Sequence, residues 1–159
     1  MCYTTETKEP KIADRDIPTW KVIEKKVRGN PKKLLALKRM LNMIGIPMYH
    51  LVSPCAQMPI PKDGRMTNPE YRNSHHQINC KGSIRVPEYI GSKYYVGVAF
   101  HSYVDSEMAF NMRKRMENPR EPHVVVRAVI PKGTAYMTNG IETVSEELRL
   151  NLNKQYGSE

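Results

Sequence analysis

Between residues 97 and 152 the hydrophobic period runs from two to nearly four and back to two, and that order most constrains what the chain can fold into. Residues 97–103, GVAFHSY, are small, aromatic or β-branched, and they lead into Asp105, a good helix N-cap, with Glu107 in the first turn. Met108, Met112 and Met116 recur every four residues with Ala109 beside them, and Arg113, Lys114 and Arg115 complement the carboxyl end. Asn118-Pro119 stops this helix. From His123 the pattern alternates, Val124, Val126, Ala128 and Ile130 against His123, Val125, Arg127 and Val129, which predicts a half-buried strand. Pro131-Lys132-Gly133 predicts a tight turn, and Asn139-Gly140 a two-residue hairpin with two positive φ angles. Leu148, Leu150 and Leu152, alternating with Glu147, Arg149 and Asn151, predict a closing strand.

The upstream half adds a second helix and more sheet. Residues 17–24, IPTWKVIE, predict a first strand with Trp20 and Val22 on one face and Lys21 and Ile23 on the other; apolar residues on both faces make it central. Asn30-Pro31 starts a helix striped by Leu34, Leu37, Leu41 and Ile44, which Gly45 and Pro47 end. Residues 48–52 and 84–95 return to sheet, and the prolines of 53–71 mark an irregular insertion. The expected fold class is therefore α+β: a flexible segment 1–16, then a single domain 17–159. A mainly antiparallel, bent or split sheet would carry two main helices, at about 31–43 and 105–117.

At 159 residues, 40% hydrophobic and 26% charged, the chain can bury a core of its own. No apolar run approaches the roughly 18 residues of a membrane span, and the N-terminus has no hydrophobic signal core, so a cytoplasmic location away from membranes is expected. Three cysteines, Cys2, Cys55 and Cys80, are an odd number at irregular spacing, unlike a disulfide framework. The net charge of +9 favours an acidic partner: nucleic acid, a nucleotide or an acidic protein surface.

His101-Ser102-Tyr103 is the leading candidate site, because a strand ending at a helix amino terminus favours an anion. There His101 and Ser102 would donate to phosphate or ribose oxygens and Tyr103 would offer a ring for stacking; the alternative is that the segment is core. A second candidate is the basic run Lys21, Lys25, Lys26, Arg28, Lys32, Lys33, Lys38 and Arg39, interrupted by Glu24 alone: a phosphate-backbone footprint or a solvated helix face. Cys2 becomes a free N-terminal thiol if Met1 is removed, in the manner of N-terminal nucleophiles, or is a thiol at a frayed end. Cys55, Cys80 and two of His50, His75 and His76 lack the spacing of a zinc finger, so no metal is assigned. G-x-S-x-G, P-loop and dinucleotide-binding motifs are absent.

GVAFHSYVDSEMA followed by VVRAVIPKGTAYMTNG resembles the middle and end of ADP-ribosyltransferase-like proteins, including the RNA 2′-phosphotransferase branch. Most of the chain also resembles small uncharacterised proteins of gut Bacteroidota and their phages, with a Met-Cys start, an HSY segment and an IPKG hairpin. These resemblances imply an ADP-ribosyltransferase-like fold and a phage or mobile-element accessory protein whose cleft takes a nucleotide-like or phosphate-bearing ligand. In the enzymatic version NAD is the cofactor. His101 would act with Glu142, Glu146 or Glu147 as the late acid stabilising the ribosyl cation, and Lys21, Ser102 and Tyr103 would bind ligand. Lys21 stands where the family has Arg or His and lacks the planar fork of Arg, so binding without turnover is equally implied. The alternative is a non-enzymatic basic protein that binds nucleic acid or blocks a host defence protein.

Overall fold

The computed structural model describes residues 3–27, 49–52, 59–67, 82–116 and 122–157. Twelve strands and one helix occupy these residues: β1 (Tyr3–Thr5), β2 (Lys11–Ile12), β3 (Ile17–Val27), β4 (Tyr49–Val52), β5 (Arg65–Thr67), β6 (Glu88–Ile90), β7 (Lys93–Val96), β8 (Phe100–Tyr103), α1 (Ser106–Met116), β9 (His123–Ile130), β10 (Ala135–Thr138), β11 (Glu142–Ser145) and β12 (Glu147–Tyr156). The expected α+β balance with two main helices is overturned. The described chain is mostly strand, in antiparallel sheets of three strands (β1-β7-β6) and nine strands (β2-β10-β11-β8-β3-β9-β12-β5, with β4 also on β3). Strand also occupies segments not expected to form sheet: β1, β2 and β5 are runs of two or three residues, too short for helices, that pair with β7, β10 and β12. The helix expected at 31–43 lies outside the described residues.

β3 is central, as its two apolar faces predict. It pairs with β9 continuously from Ile17↔Ile130 to Glu24↔His123. On its other side it meets β8 at Trp20↔Tyr103 and β4 from Glu24↔Val52 to Val27↔Tyr49, so the sheet divides along that edge. One face buries Ile23, Phe100, Val124, Val126, Ala128, Ile130, Leu148 and Leu150. Each Val, Leu, Ile or Phe side chain among them contributes about 1.5–3 kcal/mol when fully buried. The opposite face is covered in two parts. α1 packs on Val22, Tyr103 and Val125, and the three-stranded sheet brings Tyr3 and Val96 against Met137 and Val144.

Asp105 caps α1, its Oδ1 accepting from the Met108 N–H at 2.9 Å. The buried side of the helix centres on Ala109, with Phe110, Met112 and Met116 beside it, whereas Met108 is exposed. The buried stripe therefore follows the helical spacing 109, 112, 116 rather than the strict four-residue methionine repeat. Pro131 accepts from the Thr134 N–H in the expected turn, with Gly133 at φ 85°. The β10–β11 connection is longer than the two residues expected. Asn139 Oδ1 accepts from both the Ile141 and Glu142 N–H groups, building the turn from a side chain and leaving the left-handed φ of 88° to Gly140.

The end of β12 carries an irregularity of register. Leu150 pairs with Ala128, but Gln155 pairs with Val126, so β12 advances five residues while β9 advances two. An odd surplus reverses side-chain parity, and Tyr156 moves to the α1 side although it continues the even-numbered series of Leu148 and Leu150. Within this bulge Asn151 Oδ1 accepts from the Asn153 N–H, and Gln155 Nε2 donates to the Leu152 carbonyl.

Candidate functional site

Lys21, His101 and Glu142 fall on three adjacent strands, β3, β8 and β11; Glu142, opposite Tyr103, shares the His101 face, and the sheet puts the Lys21 side chain on the other face. Tyr103 packs under α1, so His101, two residues earlier, shares that face; Ile23 belongs to the opposite core, so Lys21 shares that one. The contact between them runs through backbone: Lys21 Nζ donates to the His101 carbonyl at 2.6 Å, with Lys21 only 3% exposed. The ammonium thus serves the strand junction where β8 and β3 part. Ser102 is fully buried and its Oγ donates to the Thr143 carbonyl at 3.5 Å. Tyr103 is core.

The His101 ring lies deep in the surrounding chain although part of the residue still meets solvent. Burial, reinforced by the Lys21 charge, pushes its pKa down to about 3, leaving the imidazole neutral near pH 7. The helix amino end beside it already has an anion, because the Asp105 carboxylate occupies the Met108 N–H. The three late acids diverge. Glu142 sits opposite Tyr103 and its pKa is raised by burial. Glu146 is held by Arg85 through contacts of 2.6 and 3.0 Å, and Glu147 sits opposite Thr67. A cleft of about 470 Å³ opens between β1 and the β10–β11 turn, lined in part by Thr4, Thr5, Thr7, Thr138, Asn139 and Ile141. None of the expected ligand-binding residues lines it.

Of the predicted basic footprint, Lys25 and Lys26 are half-buried on β3, and Arg28, Lys32, Lys33, Lys38 and Arg39 lie outside the described residues. Cys2, Cys55, His75, His76 and Cys80 also lie outside them, as does the His50 side chain. Among the described residues no group of three or more His, Cys, Asp or Glu side chains is placed to hold a metal.

A different constellation forms where β3, β9 and β12 run side by side. Arg127 is opposite Trp20 in the β3–β9 ladder and its guanidinium carbon lies 5.3 Å from the indole centre. Tyr156 meets Trp20 edge-on at 5.7 Å and Phe110 at 6.4 Å. Lys154 Nζ lies 5.3 Å from the Tyr156 ring centre. Trp20 and Tyr156 are half-buried, whereas Arg127 and Lys154 are exposed. The platform is anchored from behind: Arg113 of α1 donates to the Gly157 carbonyl at 2.6 Å, and a Cβ at Gly157 would sit 2.7 Å from that guanidinium.

Two partly open rings, each with an exposed cation over it, can exchange partners at low cost. An exposed cation–π contact is worth about 0.5–1 kcal/mol, whereas stacking a base on an aromatic ring contributes about 1–3 kcal/mol. Moving the cation to a phosphate and a base onto the ring therefore favours the ligand. Sequence reasoning missed this site because the bulge hides the parity of Tyr156. The available signals were the lone tryptophan on a strand and the Asn-x-Asn interruption of the leucine alternation. No protein-family model, curated protein or solved structure matches the chain, and no described helix is long and apolar enough to cross a membrane.

Proposed function

We propose that the protein binds nucleic acid without turnover, through the cationic and aromatic surface of Trp20, Arg127, Lys154 and Tyr156. The observation that carries this reading is the placement of the Arg127 and Lys154 cations over two rings that remain partly open to solvent. The net charge of +9 supplies the long-range attraction that brings a polyanion to such a surface. A cytoplasmic setting fits the irregular cysteine spacing. The transferase reading has weaker support, because Lys21 and the His101 ring face opposite sides of the sheet and an NAD-cleaving site needs both at one hollow. An acidic protein would answer the same charge but not the rings.

Fluorescence anisotropy with labelled oligonucleotides tests the proposal. Binding should weaken as salt rises, with a log–log slope of about −0.7 per phosphate contacted on a single strand. Arg127→Glu combined with Lys154→Glu should reduce the magnitude of that slope and weaken binding at least tenfold. Binding absent at low salt, or insensitive to salt, rejects the proposal.

A further inference from the structure

Resting on the nucleic-acid reading, we infer that the preferred ligand is single-stranded, with Trp20 and Tyr156 each stacking a base while Arg127 and Lys154 transfer from the rings to the flanking phosphates. The ring centres are 5.7 Å apart but their planes are inclined by 65°. Bases meeting both rings must therefore splay apart, which a single strand does freely and a duplex, whose base faces are covered by neighbours, does not. The cations already hover over the rings, so each is within a side-chain swing of the phosphate next to a stacked base. Trp20 and Tyr156 are positioned by packing rather than by the ligand: Trp20 belongs to the central strand, and Tyr156 is braced by Phe110 and the Arg113–Gly157 contact. The platform is preformed.

Trp20 is the sole tryptophan, so intrinsic emission reports directly on the site. Titration with a twelve-nucleotide oligo(dT) should quench the emission, while the same length of duplex, bound by charge alone, should leave it nearly unchanged. Tyr156→Ala should weaken oligo(dT) binding roughly tenfold with no change in salt slope. Tyr156→Phe should restore it, because the ring and not the hydroxyl stacks. Equal affinity for duplex and single strand with unquenched Trp20 overturns the inference and leaves the nucleic-acid reading standing. Failure to bind either form at low salt removes both. A Tyr156→Ala loss that Tyr156→Phe does not rescue, or equal quenching by polyglutamate, also overturns the stacking role.

Discussion

Trp20 and Lys21 are consecutive on one strand and meet opposite fates. Lys21 is turned into the face shared with Ile23 and Phe100, nearly sealed from water, and donates to the His101 carbonyl where the sheet divides. Trp20 is turned to the other face, half open, with an exposed guanidinium over its ring. The positive charge that looks most like a ligand-binding group is buried and bonded to backbone, and the aromatic residue that looks most like core is half open to solvent. Charge and hydrophobicity therefore mislead here unless strand parity is known: the same side-chain chemistry has a different role a half-pleat away.

The largest test of this contrast is Lys21→Glu. It would set a buried carboxylate against the His101 carbonyl oxygen and should destabilise the fold by about 3–5 kcal/mol, read as a lower urea midpoint at an unchanged slope. Trp20→Phe should move that midpoint little. A Lys21→Glu protein as stable as the parent would mean that the ammonium reaches water and is available after all.

His101 gives the next largest effect. Its folded pKa of about 3 lies below the ordinary 6.5, so between those values the unfolded chain binds a proton that the folded chain does not. Its contribution to stability is full above about pH 6.5 and is lost as pH falls toward 3, with a slope of up to about 1.4 kcal/mol per pH unit. Comparing His101→Gln with the parent isolates this from other acid-sensitive groups. Parallel stability curves between pH 4 and 6.5 would put the ring in contact with solvent and reopen it as a ligand group.

Local pattern made the helix cap at Asp105, the strand β9 and the central place of β3 legible, because each depends on neighbours in sequence, although β9 is buried on both faces from His123 to Val126 and not half-buried as its alternation predicts. What could not be read was register and parity over distance. Nothing near Trp20 announces that Arg127 will lie opposite it, since that is fixed by eight consecutive partners between β3 and β9. The number of residues taken up between Leu150 and Gln155 is likewise set when β12 meets β9, not by β12 alone. The expected α+β balance failed for a related reason: short strands such as β1, β2 and β5 have no amphipathic signature of their own and become strands by pairing with β7, β10 and β12.

A single charge reversal separates local from general attraction. Arg127→Glu should weaken oligonucleotide binding about tenfold at low salt, near 1.4 kcal/mol. Lys93→Glu, at an exposed position on β7 in the other sheet, should cost about threefold or less through loss of net charge alone. Equal losses would spread the binding over the whole basic surface and dissolve the contrast between the two faces of β3.

The smallest effect concerns Glu142, the late acid that sits opposite Tyr103. Burial raises its pKa above 4.5, so above that value the folded chain holds a carboxylate less comfortably than the unfolded chain does, and stability falls as pH rises through the shifted range. Because the group is about half exposed, solvent screening limits the gain from Glu142→Gln to a few tenths of a kcal/mol near pH 7, vanishing below about pH 4.5. A slightly stabilised variant with unchanged oligonucleotide affinity is the outcome for a carboxylate that neither binds nor reacts. Release of nicotinamide from NAD by the parent, abolished in Glu142→Gln, would reverse that assignment and return the chemistry to the β8–β11 side of the sheet.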